Sequence, residues 1–189
     1  MFAAVVCLIG QLAISLATAP SPSQVRDLDG RSWTPLSPAP GNVNVLFFIS
    51  TDCPISNRYA PEIDRMAAAY RDKHVQMFLI YVEPAAAIER VRTHVGEFHA
   101  GVRAPAIVDA GLDVTRAADA TVTPEAIVMT TSGRAYRGRI DDLYVNLGQT
   151  RRAPQHHDLR DALDALLKGA PVHQKETQAI GCFIDRGEK

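Results

Sequence analysis

Residues 43–50, "VNVLFFIS", place apolar side chains one after another without the alternation of a half-exposed strand. Such a run predicts a strand buried on both faces, which needs covering layers above and below it. It stops at Ser50-Thr51-Asp52 and gives way to Cys53-Pro54-Ile55-Ser56. Ile55, Tyr59, Ile63, Met66, Ala67 and Tyr70 then recur at helical spacing. The reading is strand, short loop, helix over 54–70, with Pro54 in the first turn and Pro61 kinking the interior.

The same alternation continues. "HVQMFLIYVE" predicts a second buried strand, "PAAAIERVRTHVGEFH" a helix, "APAIVDA" a short strand and "LDVTRAADA" a short helix. "TVTPEAIVMT" predicts a third main strand, which Ser132-Gly133 turns into a hairpin with "RAYRGRID". "HHDLRDALDALLKG" is an amphipathic helix closed by Gly169. Ahead of all these, "VRDLDGRSWTPL" reads as a small hairpin about Asp29-Gly30. Alternating elements with a closing hairpin predict an α/β fold with a mixed central sheet flanked by helices on both faces.

At 189 residues the chain fits one domain with a full core. A net charge of −1 and 22% charged residues predict no attraction to nucleic acid or to an anionic membrane. The expected organisation is a signal peptide over 1–19, a domain over 25–170 and a tail over 171–189. The first segment, "MFAAVVCLIGQLAISLATA", is apolar and ends in small residues, which predicts export to a periplasmic or extracytoplasmic location. Retention as a membrane anchor is the competing expectation, because about 18 apolar residues just span a bilayer. Cys7 falls within this segment.

Cys53 is placed at a helix N-terminus, where unpaired amides and the macrodipole favour thiolate over thiol. Such settings bring a cysteine from about 8.5 into the range of roughly 3.5–7.5, and the thiolate is the nucleophile. Asp52 acts in the opposite sense. The bland alternative is a small buried residue capping a core strand.

The order strand, "CPIS", kinked helix, strand, helix, "VTPEAIV" and hairpin resembles the thioredoxin fold. Pro61, eight residues after Cys53, matches the kink of the active-site helix in that superfamily. Thr123-Pro124 matches its cis-proline loop. Further marks, "TDCP", "TPEAIV", "YRGRIDD", "DLRDALDALLKGAPV" and "GCFI", are similar to peroxiredoxin-like redoxins of the alkyl hydroperoxide reductase/thiol-specific antioxidant type, over residues 25–184. The resemblance implies a thiol-dependent oxidoreductase with antioxidant or thiol–disulfide exchange activity. Cys53 is its nucleophile, Thr51, Ser56 and Arg58 support it, and Thr123 and Pro124 shape a substrate groove. Partners would be a thiol reductant and a disulfide or peroxide substrate, with no cofactor and no metal. Two positions depart from the pattern: Leu46 stands where peroxiredoxins carry proline, and Ser56 where thioredoxins carry a second cysteine. A binding module that keeps the fold, for a partner protein or a metal, is the alternative function.

Since Ser56 forms no disulfide, a resolving thiol has to come from elsewhere. Cys182, after a glycine in an aperiodic tail, is the candidate; the alternatives are a packed, inert strap and a thiol from outside. The other expectations are plainer. His156-His157 is solvated at the start of the last helix, His94 and His99 do not share a helix face, and Asp141-Asp142 serves a turn or cap. Arg134, Arg137 and Arg139 lie on a solvated face of the hairpin.

Overall fold

The computed structural model describes residues 24–187. The expected signal segment, with Cys7, therefore lies outside the described residues. A small antiparallel pair, β1 (Val25–Arg26) and β2 (Ser32–Trp33), opens the chain. It is followed by β3 (Val43–Ile49), α1 (Pro54–Tyr70), β4 (Val75–Tyr81), α2 (Ile88–Phe98), β5 (Ala106–Val108) and α3 (Asp113–Ala118). Next come β6 (Val122–Thr123), β7 (Glu125–Thr130), β8 (Gly133–Gly138), β9 (Tyr144–Asn146), β10 (Gln149–Thr150), α4 (Asp158–Leu167) and β11 (Cys182–Phe183).

The central sheet runs β5-β4-β3-β7-β8, parallel across the first three strands and antiparallel through the closing hairpin. The unbroken apolar run is its middle strand. On one face Val45, Phe47 and Ile49 pack with Ile63 and Met66 of α1, Val91 of α2 and Leu159 and Leu163 of α4. On the other, Leu46 and Phe48 meet Val114 and Ala118 of α3, with Trp33 edge-on to Phe78 at 5.5 Å. Both faces of β3 are thus buried, as period-free hydrophobicity requires.

The hairpin departs from expectation. A bulge sets Met129 opposite Arg134 but Val128 opposite Tyr136, so simple alternation does not hold along β8. Arg137 is not on a solvated face: its guanidinium bonds the buried Glu125 at 2.8 Å and Asp119 at 2.7 Å. Arg139 is paired with the buried Asp158 at 2.7 Å. Glu125 also accepts from the Thr121 amide at 2.7 Å, so the carboxylate ties β6 and β7 together. Arg137→Ala is expected to cost about 3 kcal/mol in urea unfolding, because it leaves the Glu125 charge buried without its cation. A loss under about 1 kcal/mol would assign the pair no structural weight.

After α4 the chain returns along the domain as a strap. Lys175 O accepts from Arg137 N at 2.9 Å, Thr177 N donates to Arg137 O at 3.0 Å, and β11 pairs antiparallel with β6. Thr177 packs so tightly on Gly138 (φ +142°) that a Cβ there would run into it. Ile184 N donates to Thr121 O at 3.0 Å, and the Ile184 side chain joins the second core.

Candidate active site

α1 begins at Pro54 because proline there forfeits no helical hydrogen bond. Cys53 is the N-cap in extended conformation (φ −89°, ψ 108°), the place where Ser, Thr or Asp usually turns an acceptor toward the first amides. Its side chain is 1% exposed. Across from it lies the cis peptide bond Thr123–Pro124, with Cys53 Sγ 3.0 Å from Thr123 O. The register Cys182↔Thr123 carries the strap over this point and sets Cys182 Sγ 2.7 Å from Cys53 Sγ, both cysteines being free thiols.

Burial works against the Cys53 thiolate. Hydrogen bonding from Cys182, from the Thr123 side chain and from the Ser56 amide outweighs it, and the thiol is held below its ordinary value. The Thr123 carbonyl opposes these donors, since it accepts from the sulfur only while the sulfur keeps its proton. Ser56 stands at the third helical position. Its Oγ, in a residue 2% exposed, is the one buried side-chain polar atom among the described residues without a hydrogen-bond partner. A buried hydroxyl left unpaired beside a thiol is a donor waiting for the anion. Burial and the neighbouring Cys53 push the Cys182 thiol the other way, up to about 11. Removing the Cys182 sulfur as Cys182→Ala is expected to raise the Cys53 pKa, read from thiolate ultraviolet absorbance across pH. An unchanged or lower value would deny Cys182 that role.

The remaining expected residues are distributed as follows. Thr51 is buried, but its hydroxyl donates to Glu83 Oε1 at 2.8 Å rather than to Cys53. Arg58 is exposed on α1 and makes no hydrogen bond or ion pair among the described residues. Asp52 is solvent-facing, 3.8 Å from Arg90, which relieves the repulsion expected of it.

Sequence reasoning missed Glu83, just beyond β4. This buried carboxylate accepts from Ser50 Oγ at 3.0 Å and Thr51 N at 2.9 Å, and Arg90 closes its other oxygen at 2.7 Å. Burial alone would raise its pKa, yet Thr51, Arg90 and Ser50 hold it below the usual carboxylate range. It fixes the loop that delivers Cys53. An acidic residue ending a strand parallel to the nucleophile strand was the only available signal.

Behind that loop, Tyr81 Oη meets His94 Nδ1 at 2.9 Å, His94 Nε2 meets Asn57 Oδ1 at 2.8 Å, and Asn57 Nδ2 donates to Thr51 O at 3.3 Å. His94 and His99 do not share a helix face, yet their rings lie 6.0 Å apart, both buried, because the chain leaves the helix at His99 (φ −132°). Burial holds both imidazoles below their ordinary pKa. A depressed histidine is neutral in the fold and takes up its proton on unfolding. Stability from this source is therefore complete above about 6.5 and declines as pH falls through and below that value. The urea midpoint should drop on acidification from about pH 7 toward pH 5, and less so in His94→Gln; a flat profile would contradict it.

No family model and no curated protein matches the chain. Solved structures do. A hypothetical protein of Sinorhizobium meliloti is similar over 92% of this chain and 95% of its own, at 28% identity and TM-score 0.71. A thioredoxin-like protein of Porphyromonas gingivalis aligns over 82% of this chain and 95% of its own, at 15% identity and TM-score 0.57. The chain is a thioredoxin-fold protein. Within that fold, a secreted Mycobacterium tuberculosis disulfide oxidoreductase covers 78% of this chain and 96% of its own, at 16% identity and TM-score 0.52. In thioredoxin-fold terms, β3, α1 and the cis-proline loop form the frame, and the strap is laid across it.

Proposed function

We propose that this protein is a thiol–disulfide oxidoreductase whose redox pair is Cys53 and Cys182. The observation that carries the reading is the 2.7 Å approach of the two sulfurs over Thr123–Pro124 at a helix N-terminus. Cys53 supplies the thiolate, Ser56 steadies it, and Cys182 is the second sulfur, so the missing cysteine of the helix is replaced from the tail. Exchange is favoured over peroxide reduction because Cys53 Sγ is enclosed by Cys182 and Thr123, and the exposed Arg58 makes no hydrogen bond to it. In this reading residues 25–170 form the redox domain and 171–189 the tail that completes its pair.

The apolar segment over 1–19 and the secreted neighbour both support an exported location. Among the described residues no helix is long and apolar enough to cross a membrane.

The test is peptide mapping under non-reducing conditions after treatment with glutathione disulfide, together with disulfide turnover driven by dithiothreitol. The expected results are a Cys53–Cys182 disulfide and measurable turnover. Protein that keeps both thiols free and does not turn over would overturn the reading.

A further inference from the structure

The two sulfurs of the pair do not share one environment. Cys53 belongs to the core, in a cluster with Ile49, Ile55 and Tyr59, and is covered from outside by β11. Cys182 is half-buried on a two-residue strand, and its neighbour Phe183 is 86% exposed. A groove of ≈ 530 Å³ runs along the outer face of the strap, lined by Gln178 to Gly181 and by Phe183, next to Cys182 rather than at its sulfur. In thiol–disulfide exchange the incoming thiolate needs access to one sulfur, and the other departs. Access to Cys53 would have to come through the packed side chains of α1 or through the strap itself.

We propose, on the basis of the exchange reading above, that the outside partner bonds to Cys182 and not to Cys53. An external thiolate attacks Cys182 Sγ of the oxidised pair. The S–S bond breaks, the new bond joins the partner sulfur to Cys182, and Cys53 departs with the electron pair as a thiolate. When the partner is a dithiol, its second thiolate attacks its own sulfur in the mixed disulfide and releases Cys182 Sγ, which takes up a proton. The partner leaves as a disulfide, and the two electrons it has lost stand on the Cys53 and Cys182 sulfurs.

The acid strengths agree with this direction. When Cys182 is held in the mixed disulfide, Thr123 and the Ser56 amide still favour the Cys53 thiolate, whereas burial disfavours a Cys182 thiolate, so Cys53 is the better leaving group. Cys53 remains the internal nucleophile: in the reverse direction it attacks Cys182 and re-forms the bridge. The usual division of labour, with the helix cysteine meeting the partner, is inverted because the strap lies between that cysteine and solvent.

The test uses the full chain, oxidised with glutathione disulfide and freed of reagent. A short exposure to reduced glutathione at neutral pH is quenched in acid with excess N-ethylmaleimide, and the peptides are mapped. Glutathione is expected on Cys182 and maleimide on Cys53, with Cys182 favoured by about tenfold or more. Glutathione mainly on Cys53, or equally on both, overturns the proposal while leaving the exchange function intact. Oxidised protein that contains no Cys53–Cys182 disulfide removes both the function and the proposal. In a parallel measurement, Cys53→Ser should still react with a chromogenic aromatic disulfide through Cys182. A Cys182 inert in the folded variant counts against the proposal.

Discussion

Cys53→Ser is expected to lower thiol–disulfide turnover to the uncatalysed rate, a loss on the order of a thousandfold or more, because a hydroxyl does not attack a disulfide. The substitution is informative because the fold should tolerate it. Serine is smaller than cysteine, so it brings no clash to a site that is 1% exposed. It is also a preferred N-cap whose oxygen can accept from the Ser56 amide, so the stability change should stay within about 1 kcal/mol. A folded variant without turnover assigns the chemistry to the sulfur. Turnover retained in Cys53→Ser and lost in Cys182→Ser would reverse the assignment.

The second large effect is on stability. The two sulfurs are 129 residues apart in sequence. Joining them removes closure entropy from the unfolded chain worth about 4–5 kcal/mol in the chain-entropy description. For a protein of this size the melting temperature should rise by roughly 10 °C on oxidation and return on reduction. The strap already rests in place on the Lys175, Thr177 and Ile184 backbone bonds, so little rearrangement offsets the gain. Oxidised and reduced proteins that melt together would mean that the bridge does not close the loop. Gly181 is the local control, because a Cβ there would run into the Thr123 carbonyl. Gly181→Ala should push β11 off β6 and remove most of the oxidation-dependent shift, with a smaller effect on the reduced protein.

Much of this fold was legible because its elements rest on local signals. The period-free run of β3, the helical spacing from Ile55 to Tyr70 and the turn at Asp29-Gly30 each state their structure within a dozen residues. The position of Cys53 at the N-cap followed from the same stretch. The strap was not legible in this way. Its route depends on backbone pairing with β6 and β8 and on the absence of a side chain at Gly138 and Gly181, none of which leaves a periodic trace. The sequence therefore leaves the alternatives for Cys182 open, and its place beside Cys53 follows from the route of the strap. Arg137 and Arg139 depart from the solvated face expected of them because a bulge breaks the alternation from which faces are inferred, and because their carboxylate partners come from distant segments. Glu83 escaped notice for the second reason: the loop residues it holds, Ser50 and Thr51, lie more than thirty residues upstream.

Cys182 follows every strand of the central sheet and all four helices in chain order. A ribosome making about 5–20 residues per second needs on the order of ten seconds to pass from one cysteine to the other. For that interval the residues of β3 and the start of α1 have been made, while the strand that will cover them has not. Cys53 then faces its surroundings as a lone thiol with no lid, and any small disulfide it meets finds it accessible. Arrival of the strap ends this exposure and creates the pair in the same event, so the centre acquires its chemistry last, after the scaffold that holds it.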